Sequence, residues 1–233
     1  MSKPAPSLIL FDFDDTLAIT ERYMAGSFYP KMQELLVPYN IHMSLEELAV
    51  KNTELYRHYG SSMHGWMHVL NQDMAFTLKM FRDMAPTIRD AVTPHITPNP
   101  HVHARLAGLK AEGHTLAILT LGHREYCLPL IKLLGLSDIF PEHMVFDISV
   151  MEGRLKRNED TYHHLFKHHL TGAYNHLYMF EDSIANLLAA KKVGFHTILI
   201  KDKALPDELS TSIDHHSPTL MDGLNYLASI LPA

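Results

Sequence analysis

Cysteine is almost missing from this sequence. The single one, Cys127, excludes an internal disulfide and fits a reducing compartment; within the apolar stretch "EYCLPLIKLLG" it reads as a buried hydrophobe. Runs of lysine or arginine are missing too, and 26 acidic against 20 basic residues leave a formal charge of −6. That balance speaks against a nucleic-acid polymer or an anionic membrane surface as partner, because either needs clustered positive charge. Long apolar runs are also lacking. Nothing nears the ~20 residues of a membrane span. The opening "MSKPAPSLILF" has too short an apolar run for a secretory signal, and acidic residues follow at once. No internal repeat or low-complexity tract interrupts the chain. Together these absences predict a cytoplasmic protein; a small ligand carrying a few phosphates remains compatible with them, and the oligomeric state stays open.

What is present is an ordinary apolar fraction, 46% of 233 residues, enough for one domain with a sizeable insertion or two small ones. Leu8–Phe11 is a short apolar run with turn chemistry after it, a strand. From Glu21 to about Asp90 the pattern turns helical. Ser44 with Glu47 forms a capping box that opens one helix, closed at Gly60. "HGWMHVLNQDMAFTLKMFRDMA" reads as a single further helix ended by Pro86. Three prolines between Thr93 and Pro100 mark a linker. Beyond it strands and helices alternate: strands "TLAILT", "MVFDIS", "HLYMFED" and "HTILI", with helices between them and a last amphipathic helix over Thr219–Ile230. Apolar strands alternating with helices predict an α/β fold, a doubly wound parallel sheet with helices on both faces and a small all-helical insertion. The expected division is 1–18 with 95–233 as the core and 19–94 as the helical part.

Such sheets bind ligands beyond the carboxyl ends of their strands. Asp12, Asp14 and Asp15 follow the first strand, Thr120 the second, and Glu181, Asp182 and Ser183 the "HLYMF" strand; Lys156 precedes the helix begun at Asn158. Side chains at i and i+2 of a strand share a face, so Asp12 and Asp14 are expected to share one site. Three carboxylates within four residues repel one another. With Asp182 converging on them they form an oxygen-rich cage of the kind a hard divalent cation such as Mg²⁺ prefers.

These residues carry a resemblance. "FDFDDTL" looks like the first motif of the haloacid dehalogenase-like (HAD) superfamily, "AILT" resembles the second, Lys156 in "LKRNEDTYHHLF" the third, and "MFEDSIAN" the acidic fourth. All stand in order over Leu8–Ile200, with the helical insert where one subclass carries its cap. The resemblance implies a Rossmann-like core and phosphoryl transfer through an aspartyl phosphate. Asp12 is then the nucleophile and Asp14 the general acid and base. Thr120 donates to a phosphoryl oxygen, and Lys156 neutralises Asp12 and the phosphate. Mg²⁺ is held by Asp12, the backbone carbonyl of Asp14, and Asp182, with Glu181 nearby. Members that cleave carbon–halogen bonds are not acidic at the Asp14 position, so a phosphatase or phosphomutase is expected. The substrate class is a small phosphorylated metabolite, and looser likenesses ("YRHYGSSMHGWM" and "CLPLIKLLGLSDIFPEHMVFDIS") make a nucleoside monophosphate the first candidate. A phosphosugar mutase and a catalytically weak, receiver-like phosphate binder are the alternatives. Three positions depart from the family pattern: Leu121, Arg157 and Asp15.

Other features keep two readings each. Glu181 is either a metal ligand or a carboxylate stabilised at a helix N-terminus. His163, His164, His168 and His169 are either ligands of a transition metal or a solvated helix face. His64, His68 and Trp66 either meet substrate or pack. Met63, Met67, Met74, Met80 and Met84 fall at helical spacing and are expected in the core of the insertion.

Overall fold

In a computed structural model, residues 6–203 and 211–231 are described. The outer ends of the expected core, and residues 204–210 within it, therefore lie outside the described residues. The strands are β1 (Leu8–Phe11), β2 (Thr115–Leu119), β3 (Val145–Phe146), β4 (Leu177–Glu181), β5 (His196–Ile200) and β6 (His215–Ser217). They pair in parallel in the order β3-β2-β1-β4-β5-β6. The chain moves outward from β1 to β3 and then restarts on the other side of β1 with β4. The switch point between β1 and β4 is where such a sheet opens a crevice at its carboxyl edge.

The two faces of the sheet follow from side-chain alternation along each strand. Ile9, Phe11, Ile118, Phe180 and Ile198 face one core, covered by α5 (Pro100–Ala111), α6 (Arg124–Leu133) and α9 (Leu220–Ile230). Leu8, Leu10, Leu119, Met179 and Leu199 face the other, covered by α7 (Glu159–His168) and α8 (Ile184–Lys192). No helix among the described residues is long and apolar enough to cross a membrane.

Between β1 and α5 lie only helices: α1 (Glu21–Leu36), α2 (Leu45–Tyr59), α3 (Ser62–Val69) and α4 (Met74–Val92). The capping box at Ser44 forms, and Gly60 ends α2 with a left-handed φ of 82°. The single helix expected after Gly60 is in fact two. Asn71 takes a φ of 51°, and Asp73 caps a new start by accepting from the Phe76 backbone N–H at 3.2 Å. Pro86 does not end α4 either. A proline removes one backbone donor, but the apolar stripe of Met80, Met84, Ile88 and Val92 keeps the helix buried on both sides of it. Two strand expectations also change. "MVFDIS" pairs only over Val145–Phe146, because Asp147 turns inward, and β6 is an additional edge strand whose sequence is mostly polar.

At that edge Asp214 accepts from the Thr197 backbone N–H (2.9 Å), the Thr197 hydroxyl (2.7 Å) and Lys191 Nζ (2.8 Å). Partial burial pushes its carboxyl up, but these donors outweigh burial and hold it below the usual carboxylate range. Its stabilising contribution is therefore complete above pH ~4, the ordinary unfolded value, and is lost as pH falls through the lower folded value. Asp214→Asn should cost about 1 kcal/mol in urea denaturation at pH 7, with the gap closing as the pH is taken below 3; a pH-independent gap would contradict this.

Candidate active site

Phe11 pairs with Phe180 of β4, so the chain leaves β1 beside the end of β4, and the Asp12 N–H donates to the Phe180 carbonyl at 2.9 Å. This register brings Asp12 against Glu181 and Asp182. One carboxylate oxygen from each of the three lies within 4.8 Å of the others. Lys156, only 3% exposed, reaches between them: Nζ donates to Asp12 Oδ1 and, at 2.7 Å, to Glu181 Oε2. Glu181 Oε1 also accepts from the Ser183 N–H at 3.2 Å.

The electrostatics are unbalanced. Burial raises Asp12 well above the usual carboxylate range and the Glu181 charge adds to it, against the pull of Lys156. Burial likewise raises Glu181, and burial with the Asp12 charge pushes Asp182 up to about 6. Lys156 is lowered by burial but raised further by its two carboxylates, so it is held as an ammonium. One lysine cannot compensate several buried carboxylates. An all-oxygen donor set with surplus negative charge fits a hard divalent cation and does not fit a thiol- or imidazole-seeking one.

Asp14 is placed differently. β1 ends at Phe11, so the strand alternation that would align Asp14 with Asp12 no longer holds, and the Asp14 side chain lies outside the three-carboxylate cluster. Its Oδ1 accepts from the Thr20 hydroxyl (2.7 Å) and from the Tyr126 hydroxyl on α6. Burial raises Asp14 while these two donors pull it down. Asp15 turns the chain with a φ of 54° and accepts the Thr20 N–H at 2.8 Å, which brings Thr20 back onto Asp14.

Thr120 is buried at the end of β2. Its Oγ1 accepts from the Gly122 N–H at 2.9 Å, and no acceptor among the described residues takes its own proton. Asp147, fully buried, accepts from the Arg124 N–H (2.7 Å), the Ser149 hydroxyl (2.7 Å) and the Val150 N–H (3.1 Å), tying the start of α6 to the loop that leads to Lys156.

The helical segment touches that same loop. His64 Nε2 donates to the Gly153 carbonyl at 2.7 Å, and Trp66 Nε1 donates to Asn52 Oδ1 at 2.7 Å, so both rings pack and bond internally. A Cβ at Gly60 would collide with Arg157, and one at Gly153 with Met74, so these two glycines permit the close approach. Met63, Met80 and Met84 are buried in the insertion as expected. His164 meets His168 and His169 in tilted ring contacts near the end of α7, and they form no ligand cluster among the described residues.

All six expected site residues thus reach the carboxyl edge of the sheet; Thr20, Tyr126 and Asp147 are additions that sequence reasoning did not find. The sequence profile of haloacid dehalogenase-like hydrolases matches residues 9–200. The chain belongs to that family. No curated protein sequence matches this HAD-like hydrolase at a significant level. Solved structures share its fold at low identity. A HAD phosphatase from Thermococcus onnurineus is 18% identical with a TM-score of 0.60, over 95% of this chain and 97% of its own. A 2-haloacid dehalogenase from Pseudomonas syringae pv. Tomato DC3000 is 18% identical with a TM-score of 0.61, over 97% and 100%. A protein of Bacillus subtilis, provisionally assigned as a HAD hydrolase and solved bound to magnesium, is 16% identical with a TM-score of 0.60, over 96% and 99%. Proteins provisionally assigned as β-phosphoglucomutases are also similar in fold.

Proposed function

We propose that the chain is a Mg²⁺-dependent phosphatase of small phosphomonoesters that works through a phosphorylated Asp12. The observation that carries this reading is the pairing of an acidic cluster, bridged by Lys156, with a second carboxylate, Asp14, held apart on its own hydroxyl donors. Two carboxylates in different surroundings suit two tasks, nucleophile and acid/base.

Asp12 attacks phosphorus through a carboxylate oxygen, and the bond from phosphorus to the leaving oxygen breaks. Asp14 gives that oxygen a proton, and the free alcohol departs. Asp14 then takes a proton from water as the water oxygen attacks phosphorus, which breaks the bond to Asp12 and releases inorganic phosphate. Thr120 donates its unclaimed proton to a phosphoryl oxygen, and Lys156 orients Asp12 and offsets charge on the phosphoryl group. Asp12, Asp182 and the Asp14 backbone carbonyl would hold Mg²⁺, with Glu181 beside them. When bound, the ion supplies the positive charge that the carboxylate crowd and the phosphate lack.

Residues 19–94 act in this reading as a cap over a core made of 1–18 and 95–233, excluding water from the charged chemistry. Its contacts at Gly60 and Gly153 with the segment carrying Lys156 support that role. A cytoplasmic location belongs to the same reading. Nucleoside monophosphates fall within the substrate class.

The test is phosphate release from a panel of nucleotides, phosphosugars, phosphoglycolate and p-nitrophenyl phosphate. EDTA should suppress turnover and added Mg²⁺ restore it; an enzyme indifferent to chelation contradicts the assignment. A phosphosugar mutase is the second reading, favoured by the β-phosphoglucomutase-like folds among its structural relatives. Release of one inorganic phosphate per substrate consumed excludes it.

A further inference from the structure

Beside Asp14 lies a cavity of about 190 Å³ between α1, α3 and α4 and the loop after β2. We propose that the substrate is the phosphomonoester of a compact apolar alcohol, whose hydrocarbon group occupies this cavity. The proposal rests on the hydrolase reading above and narrows its substrate class.

Three observations lead there. First, Asp14 lines the cavity. An acid that protonates the leaving oxygen must lie within hydrogen-bond reach of it, so the group carried by that oxygen extends into this space. Second, the walls are apolar: Phe28, Phe81, Met84 and Leu121 line it together with the Tyr126 ring. Of the polar atoms nearby, two are already engaged. The Tyr126 hydroxyl donates to Asp14, and His123 Nδ1 accepts from the Glu125 N–H at 3.3 Å. A sugar's several hydroxyls would be stripped of water there with too few partners to replace it, whereas a hydrocarbon gains from burial. Third, the size is right for one ring or a short chain. A dry apolar cavity of about 150 Å³ holds benzene, and a base joined to a ribose needs considerably more.

The experiment measures kcat/KM for phosphate release by the full chain in Mg²⁺. Methyl, ethyl, propyl and butyl phosphate form one series; glycerol 3-phosphate, uridine monophosphate and the reactive acetyl phosphate are compared with it. Butyl phosphate and glycerol 3-phosphate leave as similar primary alkoxides and differ chiefly in hydroxyl groups. The alkyl series should rise about fourfold per methylene until the cavity is full. Butyl phosphate should exceed glycerol 3-phosphate by on the order of 10²-fold. Ala85, on α4, also lines the cavity, and Ala85→Leu should move the optimum to a shorter chain, with circular dichroism and a cooperative thermal melt reporting that the variant is folded. Strong turnover that favours glycerol 3-phosphate or uridine monophosphate over butyl phosphate overturns the inference and leaves the hydrolase reading standing. An unchanged chain-length profile in folded Ala85→Leu also overturns it. No phosphate released from any ester, acetyl phosphate included, overturns the hydrolase reading itself and the inference with it.

Discussion

Asp12→Asn should yield a folded protein that turns over phosphoesters on the order of 10³-fold more slowly, or less. An amide oxygen is a poor nucleophile toward phosphorus, and two of the neighbouring carboxylates are engaged: Glu181 is held by Lys156 at 2.7 Å, and the Asp14 carboxylate is turned onto Thr20 and Tyr126. The fold should survive because the substitution removes a charge from a crowd that has too many. Burial and Glu181 both work against an ionised Asp12, and Lys156 keeps a carboxylate partner when Asp12 becomes neutral. In EDTA the variant's Tm should therefore equal or exceed that of the parent. Added Mg²⁺ should raise Tm in the parent, since a ligand of the native state stabilises it by mass action, and raise it less in the variant. Turnover near the parental rate would remove Asp12 from the role of nucleophile.

Much of this was legible because it is local. An apolar tetrapeptide followed at once by carboxylates places β1 and Asp12 together, and the same logic applies to β4 with Glu181 and Asp182. The capping box at Ser44 is likewise a matter of four neighbouring residues. What escaped notice depends on distant partners or on context that overrides propensity. Tyr126 reads as one more apolar residue of α6; its hydroxyl acquires meaning only because Asp14, 112 positions earlier, lies across from it. Pro86 is a helix breaker by propensity, yet the packing of Met80, Met84 and Ile88 carries α4 through it. β6 is short, polar and at the sheet edge, so it has neither the apolar run nor the alternation that marks a strand. The Asp14 carboxylate turns onto Thr20 and Tyr126 rather than into the Asp12 cluster, because side-chain alternation is a property of a strand and β1 stops at Phe11.

Lys156→Met tests the same ion pair from its other end and should give the opposite stability response. Methionine matches the length of the lysine stem and removes the one buried cation that bonds both Asp12 and Glu181. Two carboxylates buried to within a few per cent of full burial are then left without a counter-charge. Breaking a buried pair in this way costs about 3–5 kcal/mol, because the orphaned charge has lost its water and gained nothing in return. For a chain of this size that lowers Tm by on the order of 10 °C, measured in EDTA. Mg²⁺ should recover part of the loss, since the ion would supply the positive charge that the side chain no longer does. Catalysis should not return with it: Asp12 would lack the ammonium that orients it, so phosphate release should stay at least about 10²-fold down at saturating Mg²⁺. A double variant, Asp12→Asn with Lys156→Met, should be more stable in EDTA than Lys156→Met alone, because it deletes one of the two orphaned charges. If Lys156→Met instead melts with the parent in EDTA, the lysine is not the counter-charge of the site, and the acidic cluster is neutralised by protons rather than by the chain's own cation.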